Sequence, residues 1–193
     1  VTAVELVKSN LGVLKAKRSS VKAYQGNALD LSRFADQSFD VVLLLGPMYH
    51  LMMTEEQVRA MNEAKRVLKP EGRIFAAYIM NEFAMITHAF KEKRYLESVR
   101  SGKIDESFHT RTTEEDLYHY VRLEDIDEIN RQAGVTRIKI IAQDGAANYI
   151  RPFLKEMDDE LFSGFLKYHL STCELPDLLG ASGHLLDCVK KPE

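Results

Sequence analysis

This sequence predicts an α/β fold with a mostly parallel sheet and helices on both faces, on three observations. Residues 39–45 (FDVVLLL) are an apolar run rich in Val and Leu that stops at Gly46-Pro47. A run that short, ended by Gly-Pro, suits a strand buried on both faces better than a helix. Val58, Met61, Ala64, Val67 and Leu68 then fall on one side of a helix, and residues 73–80 are a second apolar strand. Strand, crossover helix and strand make a right-handed βαβ unit with parallel strands. Ligands of open parallel sheets bind beyond the carboxyl ends of the strands. That places Gly46, Pro47, Met48, Tyr49 and His50 at the edge where chemistry is expected.

The remaining elements follow in chain order. Residues 1–4 are strand-like, with Glu5 at the carboxyl end. In nucleotide-binding βαβ units an acidic residue there accepts hydrogen bonds from ribose hydroxyls, about 20 residues after a glycine-rich turn. No G-x-G-x-x-G occurs in the chain; Gly180-Ala181-Ser182-Gly183 comes nearest and reads as a flexible turn rather than a phosphate site. Residues 9–17 read as a helix with Leu11 and Leu14 inward, and 21–24 as a short strand ending at Gln25-Gly26-Asn27-Ala28. Thr54 followed by Gln57 predicts a capping box, and Lys69-Pro70-Glu71-Gly72 a helix stop and turn. Residues 81–98 predict an amphipathic helix with Phe83, Ile86 and Phe90 on one side, followed by a polar, irregular stretch to 112. A helix over 123–133 has Leu123, Ile126 and Ile129 inward and Gly134 just past its end. Residues 136–143 form a strand alternating at Ile138 and Ile140, ended by Asp144-Gly145. Residues 155–172 form a helix with Met157, Leu161, Phe165 and Leu166 on its apolar face, and 184–190 a last strand.

Length and composition set the bounds. A chain of 193 residues, 45% hydrophobic, is enough for one domain spanning 1–193. A net charge of -3 advertises no attraction to nucleic acid, and no apolar run reaches the length of a membrane span. Cys173 and Cys188 are too few for a disulfide framework and read as buried free thiols of a cytoplasmic protein. His109 and His119 lack any metal-ligand spacing, so no metal is expected.

Taken together, VTAVEL, GNALDL, FDVVLLLGPMYHL and EAKRVLKPEGRIF resemble the class I S-adenosylmethionine-dependent methyltransferases of small-molecule type, in that family's order, over about the first half of the chain. The resemblance implies a Rossmann-like sheet whose last strand is antiparallel and tucked between others. It implies S-adenosylmethionine as cofactor and S-adenosylhomocysteine as product. Glu5 would take the ribose, with Leu6 beside it also on the cofactor, Asn27 (where the family usually has Asp) and Ala28 the adenine, and Leu45 and Gly46 the methionine side. An amide oxygen can make the Asp's acceptor contact without its charge. The family's first strand and glycine-rich loop would fall before Val1, so the chain reads as N-terminally truncated. The strands carrying Glu5 and Leu45 would then face each other across a gap that invites a partner strand or a homodimer. Residues 82–119 correspond to a lid insertion. Tyr49 and His50 line the acceptor pocket, with His50 placed to take a proton from a hydroxyl or amine. A small-molecule acceptor is expected, with no nucleic-acid or membrane partner. No N/D-P-P-Y/F tetrapeptide follows the central strand, which argues against adenine or glutamine-amide methylation. Two alternatives stand beside this reading: a non-catalytic interaction protein that keeps the fold, and a nicotinamide-dependent dehydrogenase, whose ribose Glu5 would suit equally well.

Overall fold

The computed structural model describes residues 1–192. β1 (Thr2–Glu5), α1 (Lys8–Ala16) and β2 (Lys22–Gln25) come first, and the two strands pair in parallel. β3 (Phe39–Leu44), α2 (Thr54–Val67) and β4 (Leu68–Met80) form the expected parallel βαβ unit. α3 (Asn81–Ala84) leads into one long π-helical stretch (Met85–Lys91), then α4 (Tyr95–Arg100) and β5 (Tyr120–Val121). α5 (Leu123–Ala133), β6 (Thr136–Ala142), α6 (Arg151–Leu154), α7 (Asp159–Thr172), α8 (Pro176–Leu179) and β7 (His184–Lys190) complete the chain.

The larger sheet runs β3-β4-β7-β6, with β5 added at the end of β4. β7 is antiparallel to both β4 and β6, so the last strand is tucked between its neighbours, as the resemblance implied. β1 and β2 form a separate two-stranded sheet. The core gathers on β4, where Ile74, Ala76 and Tyr78 meet Met61, Ala64 and Leu68, Ile126 and Ile129 of α5, and Leu185 and Val189 of β7. Gly134 takes the left-handed conformation (φ 59°) that ends α5, which spares a side chain the strain of that geometry. Both cysteines are free and buried.

Several local expectations are corrected. The run at 39–45 is not buried on both faces: Leu44 is buried, but Val41 and Leu43 are 50% and 58% exposed. Among the described residues β3 pairs only with β4, which leaves it an edge strand, and its odd-numbered residues Val41 and Leu43 face outward. The capping box at Thr54 does not form. Thr54 is the first helical residue, and Gln57 turns inward, fully buried, to donate from Nε2 to the Met48 carbonyl at 2.6 Å. Residues 69–72 belong to β4 as a bulge rather than a separate turn, since Phe39 pairs with Leu68 and Val41 with Arg73. Gly72 fits there because a Cβ would lie 2.7 Å from the Asp40 carbonyl oxygen.

The helix expected over 81–98 breaks. The Thr87 hydroxyl donates to the Phe83 carbonyl, the wider π turns follow, and Lys93 at φ 59° stops the run. Ile86 and Phe90 are consequently exposed. A register shift between Arg137 and Lys139 turns Ile138 outward. The helix expected over 155–172 starts instead at Asp159, capped by Asp158 accepting from the Leu161 N–H, and none of its residues is buried. The turn at 180–183 is not loose: Ser182 is fully buried and its hydroxyl is hydrogen-bonded throughout.

No helix among the described residues is long and apolar enough to cross a membrane.

Candidate functional site

The carboxyl edge of the main sheet gathers side chains from five segments. After β3 the chain turns through a 3-10 turn, Pro47–Tyr49, whose shape is fixed from below by Gln57 holding the Met48 carbonyl. The Tyr49 hydroxyl donates to the Leu45 carbonyl at 2.7 Å. Burial, then the neighbouring Tyr118, push the Tyr49 pKa up, so this phenol stays protonated. His50 is exposed, and its Nδ1 lies 2.9 Å from the Leu117 carbonyl. A carbonyl only accepts, so Nδ1 carries the proton. The His119 N–H donates to the Tyr49 carbonyl at 2.9 Å, which lays residues 117–120 over this turn.

Rings collect there. Tyr49 lies 4.9 Å from His50, 6.2 Å from Tyr118 and 6.0 Å from His184, and His50 lies 5.3 Å from Tyr118. Phe83, just after β4, packs edge-on to Tyr149 at 5.8 Å. At the start of β7, His184 Nδ1 is 2.6 Å from Asp144 Oδ2, at the end of β6. Burial alone would raise the Asp144 pKa, but the hydrogen bond and charge of His184 outweigh it and hold the carboxyl below its ordinary value.

Residues 82–119 are tied to this edge. The fully buried Asn81 donates to the Phe108 carbonyl at 3.0 Å and accepts from the Thr110 N–H at 2.9 Å. Arg122 bridges Glu82 (2.7 Å) and the Ser107 carbonyl (2.9 Å).

Of the residues expected on the cofactor side, Glu5 and Asn27 lie at the ends of the paired strands β1 and β2, and Leu45 and Gly46 at the end of β3. One Glu5 oxygen accepts from the Val7 N–H at 2.8 Å, and Leu6 beside it is 61% exposed. Asn27 Oδ1 accepts from the Leu29 N–H at 3.0 Å, a side-chain turn in its own right. Ala28 packs toward the core. An open polar recess of about 370 Å³ lies beside them, lined by Gln25, Gly26, Asn27, Asp30, Ser32 and Arg33. A comparable recess is lined by Leu29, Glu55 and Arg59 among others, and none of the edge's rings lines either recess. Leu45 is 49% exposed, and a Cβ on Gly46 would meet nothing within 4 Å.

A family model described as a methyltransferase domain matches residues 1–76. No curated protein sequence matches the chain. Among solved structures, an S-adenosylmethionine-dependent methyltransferase from Methanosarcina mazei is similar with a TM-score of 0.60 and 15% identity, over 99% of this chain and 81% of the other. One from Mesorhizobium loti gives 0.58 and 10%, over 99% and 80%. The CcbJ methyltransferase of Streptomyces caelestis gives 0.57 and 14%, over 100% and 75%. At these identities the structures speak for the fold, and the family match covers residues 1–76 alone. The chain thus has the fold of S-adenosylmethionine-dependent methyltransferases, with a methyltransferase-domain match over residues 1–76.

The matched segment and the fold imply S-adenosylmethionine as cofactor, and the residues at these strand ends suit it. Glu5 has a second carboxylate oxygen without a hydrogen bond among the described residues, which suits ribose hydroxyls. The exposed Leu6 offers an apolar face for a base, and the Asn27 oxygen keeps one lone pair for an amine. No cluster of metal-ligating side chains occurs among the described residues.

Tyr49 and His50 lie at the carboxyl edge of the sheet, where the sequence puts them, and Gln57, Asn81, Asp144 and His184 gather there without a local signal. The last two are 40 residues apart and meet only because β7 inserts between β4 and β6.

Proposed function

We propose that the chain is an S-adenosylmethionine-dependent methyltransferase acting on a small-molecule acceptor held among Tyr49, His50, Tyr118 and Phe83, with residues 82–119 as the lid over it. The observation that carries this reading is the ring-lined edge itself. It presents flat apolar faces rather than the Lys and Arg cluster a nucleic-acid acceptor calls for.

In this reading Glu5 accepts from the ribose hydroxyls, Leu6 packs on the adenine, and Asn27 and Ala28 meet its edge. Leu45 and Gly46 flank the methionine end. Bound there, S-adenosylmethionine supplies a methyl group on a sulfonium, open to direct displacement. The protein's part is to align the acceptor with that methyl and to exclude water, which needs neither metal nor protein nucleophile. The hydrogen bonds from Gln57 to Met48 and from Tyr49 to Leu45 make the acceptor side rigid.

Calorimetric titration of S-adenosylhomocysteine into the full chain tests the reading. Binding is expected, and Glu5→Ala should weaken it at least about tenfold, because hydrogen bonds to a charged acceptor contribute about 1.5–3 kcal/mol each. No heat from folded protein would sink the cofactor assignment. That outcome would favour a second reading, in which the chain pairs with another strand at β3. The exposed Val41 and Leu43 on this one-sided strand are the observation for it.

A further inference from the structure

The inference concerns the acceptor side of the proposed reaction and rests on that reading for the identity of the step. Two histidines stand at the ring-lined edge, and their supports differ. His50 is held by a neutral carbonyl, that of Leu117. His184 is held by a carboxylate, that of Asp144, at 2.6 Å. An ionised carboxylate only accepts, so Nδ1 of His184 carries the proton, and Nε2 of the neutral ring presents a bare lone pair. Nε2 has no hydrogen-bond partner among the described residues, and the side chain is 34% exposed, open to a ligand.

The surroundings are built to keep this pair in place. The Ser182 hydroxyl, fully buried, donates to the His184 carbonyl at 2.7 Å and accepts from the N–H groups of Asp144 (3.3 Å) and Gly145 (3.0 Å). One side chain thus binds the backbone of both partners. The Gln143 N–H also donates to the His184 carbonyl, at 3.0 Å. Gly183 leaves the space the carboxylate occupies: a Cβ there would lie 2.8 Å from Asp144 Oδ2 and 2.6 Å from Asn148 Nδ2. The Tyr149 hydroxyl donates to the Ala181 carbonyl at 2.7 Å. The groups facing the pair are Tyr49 and Tyr149, Arg151 acting on Asp144, and His169 against Gly145.

We propose that His184, oriented by Asp144, is the general base that takes the proton from a neutral hydroxyl or amine acceptor bound against Tyr49. In that step the acceptor's lone pair forms the bond to the methyl carbon, and the carbon–sulfur pair returns to sulfur. The acceptor's proton passes to Nε2 of His184. The resulting imidazolium is stabilised by the Asp144 carboxylate and then loses its proton to water. His50, against a carbonyl alone, lacks that counter-charge and serves as pocket wall.

Two measurements on the full chain test this. The first is the tautomer of the neutral His184 ring, read from its nitrogen-15 chemical shifts. Nδ1–H is expected in the wild type and a mixture in Asp144→Asn, whereas an Nε2–H wild-type ring overturns the proposal. The second uses 4-cyanophenol as the acceptor probe, with and without S-adenosylhomocysteine, in neutral buffer, where the free probe is mostly protonated and a neutral imidazole is available to take its proton. The wild type should bind it with growth of the phenolate band, and His184→Gln and Asp144→Asn should each cut that growth at least about tenfold. No ionisation by the wild type, or undiminished ionisation by His184→Gln, overturns the proposal. Loss of S-adenosylhomocysteine binding refutes the cofactor reading instead and touches neither measurement.

Discussion

Asp187→Ala should destabilise the protein by about 3 kcal/mol, and the structure says where that comes from. Asp187 is fully buried on β7. It accepts from Arg137 Nε at 2.7 Å and Nη2 at 3.1 Å, across to β6, and from Asn130 Nδ2 at 2.6 Å, across to α5. One carboxylate therefore joins two strands and the helix that covers them. Removing it leaves the buried Asn130 amide without its acceptor, which costs about 1–3 kcal/mol. Stripping one partner from a buried ion pair costs about 3–5 kcal/mol. That figure is discounted here, because the Arg137 side chain is 27% exposed and keeps Asp127 as a partner. About 1–2 kcal/mol is left from this source. Burial alone would lower the Arg137 pKa, but the two carboxylates outweigh it and the guanidinium stays charged. Asp187→Asn keeps the volume and one acceptor oxygen and should cost about half as much. Urea unfolding reads the difference, as a midpoint lowered by about 1–3 M at ordinary slopes. A loss under about 1 kcal/mol for Asp187→Ala would refute the view that this clamp holds β6, β7 and α5 together.

Two further outcomes follow from other buried polar groups. Burial, reinforced by His109, pulls the His119 pKa below its ordinary value despite opposing contributions from Asp125 and a backbone hydrogen bond to Met52. The unfolded chain then binds the proton more readily, so stability is complete above about pH 6.5 and falls as pH drops through the lowered value. His119→Gln should flatten that part of the profile in urea midpoints taken at pH 5 and 7.5, and an unchanged slope would count against the assignment. Asn81→Ala removes the bridge to Phe108 and Thr110. It should cost about 2 kcal/mol locally and make residues 101–112 the first site of proteolytic cleavage, with the sheet core still protected.

The βαβ unit over 39–80 was legible because its signals are local. An apolar run, a Gly-Pro stop and a helical stripe need no knowledge of what packs on them. The same holds for the end of α5 at Gly134, and for Glu5, Asn27, Tyr49 and His50 as residues at strand ends. Local signals misled wherever a partner elsewhere decided the outcome. Gln57 reads as a cap but is drawn inward by the Met48 carbonyl, and Val41 and Leu43 read as core but lie on a strand paired on one side only. The Gly180–Gly183 turn reads as slack but is clamped by Ser182.

Asp144 and His184 show the limit most plainly. In sequence they are a turn residue and a strand start, 40 positions apart, and nothing in either neighbourhood marks them as a pair. Most elements, and the carboxyl edge of the sheet, were readable in the sequence because side-chain periodicity and turn residues act over a few positions. Which side chains meet at that edge depends on contacts between distant segments. Strand order and direction, set by burial of the whole sheet, bring the end of β6 against the start of β7 and so place a carboxylate beside an imidazole.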